Sequence, residues 1–243
     1  MSKLTVAGIG PGDRDNMTIG ADKALREADV IVGYTVYTDL VRNDYPEKEF
    51  VTTPMTRETE RCRIALDLAA QGKNVVLICS GDSGIYGMAA LVYELRGEAP
   101  EPEISVLPGI TAASSGSALL GAPLTHDFAV ISLSDRLTAW ETIVTRLDFA
   151  AKADLSIVLY NPSSKGRPDH LRRACDILLD TLPADRSCGI AHAIGREGES
   201  GRILTLGELR DTQVDMFCTV FIGNSGTKVI GDKLVTPRGY RYA

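Results

Sequence analysis

Nowhere in the 243 residues does an apolar run approach the roughly 20 residues that cross a bilayer, which excludes a membrane-spanning helix. The start, Met1-Ser2-Lys3-Leu4-Thr5-Val6, enters a strand pattern at once, without the apolar stretch and cleavage site of a secretory signal. Cysteine is sparse: Cys62, Cys79, Cys175, Cys188 and Cys218 are odd in number and never form a C-x-x-C pair. That argues against a disulfide framework and for a reducing cytoplasm. Histidine is rarer still. His126, His170 and His192 lack a second ligand type at metal spacing, so no protein-bound metal is expected. Basic charge is also short. The 26 Lys and Arg against 32 Asp and Glu leave a net charge of −6, which speaks against a nucleic-acid binder and its basic stripe. An anionic small substrate stays open, because arginines gather locally at Arg167, Arg172, Arg173, Arg196, Arg202, Arg238 and Arg241, although most read as solvated surface.

What is present is an alternation of strand and helix signals. Leu4 to Ile9, Val30 to Val32, Val75 to Cys79 and Ile104 to Leu107 are apolar β runs. Between them, Thr18 to Ala28 reads as a helix with Thr18 as N-cap, and Arg57 to Gln71 as a helix stopped by Gly72. A further helix is expected over Ile85 to Arg96. Continuous rather than alternating apolar runs predict a mainly parallel sheet covered on both faces. Beyond Gly121-Ala122-Pro123 the pattern changes. Strands at Phe128–Leu133, Leu155–Tyr160, Cys188–Ala193, Arg202–Leu206 and Met216–Ile222 mix with helices at Thr138–Phe149 and Asp169–Leu182. Gly231-Asp232 between two short β runs predicts a two-residue hairpin. The expected architecture is α/β in two domains, residues 1–120 with a mainly parallel sheet and residues 121–243 with a mixed one.

Three segments carry chemistry. Gly8-Ile9-Gly10-Pro11-Gly12 lies where a dinucleotide fingerprint would, but Asp13 replaces its last glycine and Gly33 stands where a ribose-binding acid should be. It is either a tight turn or a ligand-facing loop. Ser80-Gly81-Asp82-Ser83-Gly84-Ile85 follows a parallel strand, the end at which open α/β sheets bind ligands. Asp82 is either a ligand for an ammonium or hydroxyl group or a helix cap. Leu107-Pro108-Gly109-Ile110-Thr111-Ala112 again joins strand end to helix start, offering free N–H groups and the Thr111 hydroxyl.

In this order and spacing the three segments resemble those of the tetrapyrrole methylases, S-adenosylmethionine enzymes of cobalamin and sirohaem synthesis, and the likeness runs along nearly the whole chain. Further stretches are similar to the branch that methylates carbon 17 of precorrin-3B and contracts the ring to precorrin-4. They include Val32 to Tyr37, His126 to Asp135, Leu159 to Arg167, Gly195 to Glu199 and Thr236 to Tyr240. The resemblance implies S-adenosyl-L-methionine bound in an interdomain cleft, a tetrapyrrole substrate and a homodimer. Carried over position by position, the cofactor contacts are Pro11, Ser80, Gly81, Asp82, Ile85, Thr111, Ala112, Asn161, Ala193, Ile194, Gly195, Thr219 and Val220. Ring contraction needs proton transfer, for which His126, Asp127, Ser134 and Asp135 are the candidates, with His126 paired to Asp127 or Asp135. Rival expectations are the anaerobic counterpart acting on cobalt-factor III, a protein- or RNA-directed methyltransferase on the same fold, and a non-catalytic nucleotide-binding module or nicotinamide oxidoreductase.

Overall fold

The computed structural model describes residues 3–241, and the chain forms two compact units, Met1–Ala112 and Ala113–Ala243. In the first, the order is β1 (Lys3–Gly8), α1 (Ile19–Glu27), β2 (Val30–Tyr34), α2 (Thr35–Val41), β3 (Glu49–Thr53), α3 (Glu58–Ala70), β4 (Asn74–Cys79), α4 (Ala89–Arg96) and β5 (Glu103–Leu107). The strands lie in the order β3-β2-β4-β1-β5, and every pairing is parallel. Side chains alternate between two cores, as the two-residue period of a strand requires. Leu4, Val6, Val30, Val32, Val75 and Leu77 pack on one face. Ala7, Ile31, Val76 and Ile78 pack on the other. From β1 the chain leaves toward β2 on one side, and from β4 toward β5 on the opposite side. Their adjacent C-terminal ends therefore form a topological switch point, where such sheets open a ligand crevice.

Helix α1 is capped as its sequence indicates, with Thr18 Oγ1 accepting from Ala21 N at 3.2 Å. Helix α4 is shorter than expected. It begins at Ala89 rather than Ile85, because Tyr86 adopts a positive φ of 55° that no continuing helix accepts. Helix α2 and strand β3 are elements that the hydrophobic pattern did not announce.

The second unit continues with α5 (Ala112–Leu120), β6 (Gly121–Ala122), β7 (Phe128–Ser132), α6 (Trp140–Lys152), β8 (Ser156–Tyr160), α7 (His170–Leu179), β9 (Ser187–His192), β10 (Ser200–Thr205), α8 (Leu206–Arg210), β11 (Cys218–Ile222), β12 (Lys228–Ile230) and β13 (Lys233–Val235). Its larger sheet, β10-β9-β11-β8-β7, is mixed. Only β7 and β8 pair in parallel; the other neighbours are antiparallel. The expected hairpin at Gly231-Asp232 joins β12 to β13, and β13 pairs with β6. A boundary at 120 would assign α5 to the first unit. In the structure it lies on the second sheet, close enough that a Cβ on Gly116 would stand 2.7 Å from the Phe221 ring. No helix of the described residues is long and apolar enough to cross a membrane.

Candidate active site

At the switch point of the first unit the three glycine-containing segments meet backbone to backbone. Ile9 N donates to Cys79 O at 2.9 Å and Gly10 N to Gly81 O at 2.9 Å. A Cβ on Gly10 would fall 2.1 Å from Ile110 O, and one on Gly109 would fall 2.1 Å from Gly81 O. No side chain fits into either approach, so the absence of a Cβ is what lets the loops after β1, β4 and β5 converge. Pro11, next in the chain, is half-buried beside this crossing.

Asp82 ties the crossing together. Its Oδ1 accepts from Gly84 N at 2.7 Å and Ile85 N at 2.9 Å. Its Oδ2 reaches across to Gly109 N at 3.0 Å. The carboxylate is thus neither a cap for α4, whose N-cap is Met88, nor a free arm; it braces one loop against another. Ser83 adds a second brace, its Oγ donating to Leu107 O at 2.8 Å. Ile85, 42% exposed, and Tyr86, 57% exposed, leave apolar surface on the outer rim of the loop. Replacing Asp82 by Ala leaves three backbone N–H groups without their partner. An expected loss of about 1–3 kcal/mol in urea unfolding should accompany weaker cofactor binding. Lost affinity with an unchanged unfolding midpoint would instead mean that Asp82 acts on the ligand alone.

Thr111 and Ala112 sit half-buried at the start of α5. One amide of that helix start is already taken, since Ala113 N donates to Tyr160 Oη at 2.7 Å. In the second unit, Asn161 follows β8 with a φ of 53° and donates through Nδ2 to Ser132 Oγ at 2.9 Å. Ala193, also at positive φ, ends β9, and Gly195 N donates to Glu199 Oε2 at 2.7 Å. Ile194 packs against the cluster around Phe221 and Val158. Thr219 is 6% exposed and Val220 fully enclosed in the core.

Of the proton-transfer candidates, His126 and Asp127 lie exposed just before β7. Ser134 is held through its N–H, which donates to Ser132 Oγ at 3.2 Å. The imidazole facing Asp135 belongs to His170, not His126: His170 Nε2 lies 3.1 Å from Asp135 Oδ2. The approach is bent away from the ring N–H axis, so Nε2 lacks an in-line acceptor. The two side chains are nevertheless in close contact. His170 is the main cause holding the Asp135 carboxyl below its ordinary range, and the Arg167 charge adds to it. His170 is 7% exposed and locked edge-on against Trp140 at 4.9 Å, whose ring also carries Arg173 at 3.9 Å. Nothing local in the sequence links His170 to Asp135, because the contact joins the loop after β7 to the first turn of α7.

Comparison with known proteins bears on this geometry. A family model described as Tetrapyrrole (Corrin/Porphyrin) Methylases matches residues 3–210. The Salmonella typhimurium protein named probable cobalt-factor III C(17)-methyltransferase is 46% identical over 238 residues, covering 98% of this chain and 99% of its own. A crystal structure of the methyltransferase CobJ aligns with a TM-score of 0.89 at 37% identity, covering 98% of this chain and 100% of that one. The fold is shared more distantly with uroporphyrin-III C-methyltransferase from Thermus thermophilus complexed with S-adenyl homocysteine. There the TM-score is 0.69 at 19% identity, over 91% of this chain and 92% of that one. With a family match over most of its length and near-complete alignment to relatives of such identity, the chain belongs to the tetrapyrrole methylases.

Proposed function

We propose that the chain is an S-adenosylmethionine-dependent methyltransferase of cobalamin biosynthesis that methylates carbon 17 of a corrin precursor and contracts its ring. The observation that carries this reading is the near-full-length likeness to a protein named for C(17) methylation. Precorrin-3B, converted to precorrin-4, is the substrate implied by the sequence stretches quoted above. The name of the Salmonella relative favours the second reading, cobalt-factor III. The protein works in the cytoplasm, with a second copy of itself as partner, as the family likeness implies. Five free, buried cysteines accord with a reducing compartment.

The residues present suit the cofactor. Small-residue loops at the ends of parallel strands offer backbone and a hydrophobic rim at Ile85, with little side-chain bulk to exclude a ligand. In this reading Ser80, Gly81 and Ile85 surround the methionine and ribose part, with Pro11, Thr111 and Ala112 beside them. Asp82 holds the loops in register. Asn161, Ala193, Ile194, Gly195, Thr219 and Val220 line the adenine side. When bound, the sulfonium supplies an electrophilic methyl group. The protein's part in that transfer is alignment and exclusion of water rather than base strength. Contraction needs a proton handled at a fixed point, and among His126, Asp127, Ser134 and Asp135 the structural support is greatest for Asp135. Its carboxylate is anchored by His170 and still 35% exposed.

Calorimetry with S-adenosylhomocysteine should give one site per chain at micromolar affinity, on the order of −8 kcal/mol. Absence of heat and of any thermal shift would remove the cofactor assignment. Incubation with S-adenosylmethionine and either precorrin-3B or cobalt-factor III then identifies the substrate by product mass and visible spectrum. A product that gains one methyl group from neither macrocycle would overturn the proposal.

A further inference from the structure

Three side chains of the second unit, used by neither the cofactor reading nor the proton-transfer reading, meet at one end of β9 and β11. The antiparallel register sets His192 opposite Cys218, so both project from the same face of the sheet. The turn entering β11 folds Asp215 back over them. Asp215 Oδ1 accepts from Phe217 N at 2.9 Å and lies 3.4 Å from Cys218 Sγ. Asp215 Oδ2 lies 3.3 Å from His192 Nε2. One ligand atom from each of the three residues falls within 4.8 Å of the other two. Cys218 is buried, whereas the side chains of His192 and Asp215 are 35% and 55% exposed, which leaves a path from solvent.

We propose that His192, Asp215 and Cys218 form a binding site for a zinc-class divalent ion, with three protein ligands and a fourth position open to solvent. The donor set decides the class of ion. Thiolate, imidazole and carboxylate together suit zinc, whereas magnesium and calcium take oxygen ligands throughout. Spacing agrees. Metal–ligand bonds of about 2.0–2.3 Å in a tetrahedron put neighbouring ligand atoms roughly 3.3–3.6 Å apart. Asp215 spans the other two donors, its Oδ2 lying 3.3 Å from His192 Nε2 and its Oδ1 3.4 Å from Cys218 Sγ. All three donor atoms lie within 4.8 Å of one another, and side-chain rotation would draw them to these spacings around an ion. A supporting layer is also built. His192 Nδ1 faces the Gly198 carbonyl at 3.4 Å, which favours the tautomer that leaves the Nε2 lone pair for the ion. Phe217 N orients the carboxylate in the same way. On binding, the Cys218 S–H bond breaks, its proton passes to solvent and the sulfur electron pair forms the metal bond, with no change of oxidation state. His192 and Cys218 immediately precede Ala193 and Thr219. An ion here would therefore hold together two segments assigned above to the adenine side, a consequence that rests on that reading while the site itself does not.

The test uses chelator-stripped full-length protein. Zinc is titrated in competition with a chromophoric chelator, and cobalt(II) serves as the spectroscopic probe. The expected result is one equivalent per chain, a four-coordinate cobalt spectrum with a sulfur charge-transfer band, and a zinc-induced rise in melting temperature. His192→Ala, Asp215→Asn and Cys218→Ser should each weaken zinc binding by about tenfold or more. Their circular dichroism and S-adenosylhomocysteine binding in metal-free buffer report separately on folding and on the cofactor site. Zinc held no more tightly by the parent than by Cys218→Ser, or a cobalt spectrum without the thiolate band, would overturn the site and leave a hydrogen-bonded turn.

Discussion

Asp135→Asn is expected to cut ring-contracted product by roughly 10²–10⁴-fold, the usual contribution of a positioned acid or base, while S-adenosylhomocysteine binding stays intact. In the proposed reading methyl transfer relies mainly on loops of the first unit, held by their own backbone hydrogen bonds, whereas Asp135 belongs to the second unit. A carboxyl held below its ordinary range is ionised throughout neutral and mildly acidic solution, so Asp135 serves as acceptor or anchor and not as proton donor. In this reading His170 acts through Asp135, as a positioning residue. Removing His170 lets the Asp135 pKa rise toward the usual carboxylate value. The acid limb of the contraction pH profile should therefore move to higher pH in His170→Gln, a shift that a merely structural histidine would not cause. The same linkage acts on stability. The Asp135 contribution is present above the unfolded carboxylate range and is lost as pH falls through the lowered folded value. Single-turnover mass spectrometry provides the readout, with His126→Ala run beside the two variants. Normal contraction in Asp135→Asn and an unmoved acid limb in His170→Gln would make the pair part of the scaffold.

Gly10→Ala is expected to be among the most damaging single methyl additions, destabilising by roughly 1–3 kcal/mol or more and abolishing cofactor binding with it. The added carbon would sit 2.1 Å from Ile110 O and 2.5 Å from Gly81 Cα. Both obstacles are backbone, so no rotamer change relieves them. The loops after β1 and β4 would have to separate, breaking the Gly10 N to Gly81 O bond and moving the very strand ends that the cofactor is proposed to use. Gly20→Ala provides the contrast. Its new carbon meets only Leu107 Cδ2 at an ordinary 3.9 Å inside α1, and the better helix former should stabilise by up to about 1 kcal/mol. Urea unfolding of both variants tests the pair. Equal midpoints would show that the crossing yields more easily than its backbone distances imply.

Element existence was readable wherever burial on both sides imposed a pattern. β1, β2 and β4 are unbroken apolar runs because each is covered by helices on two faces. Thr18 and Gly72 announced their helix ends by local chemistry alone. Elements that bury less left weaker traces. α2 encloses only Thr38 and Val41 fully, and β3, on the edge of its sheet, encloses only Thr53. Neither shows a clean period. Helix α4 starts at Ala89 rather than Ile85 because the preceding backbone is committed to Asp82 and to the close approach of Gly87 to Ser83 O.

The sequence by itself determined what depends on short-range order: the alternating α/β pattern, the three glycine-containing loops at strand ends, the Gly231-Asp232 hairpin and the family motifs. These are legible because turn chemistry, capping and strand period act within a few residues. Tertiary structure alone decided which partners those residues meet. It showed Asp82 bracing two loops through three backbone N–H groups. It joined Asp135 to His170 across the gap between β7 and α7, and it gathered His192, Asp215 and Cys218 through a strand register. The physical reason is common to all three. A hydrogen bond or ion pair between distant positions has a range of a few ångströms in space and leaves no periodicity along the chain, so only the packed fold brings its two ends together.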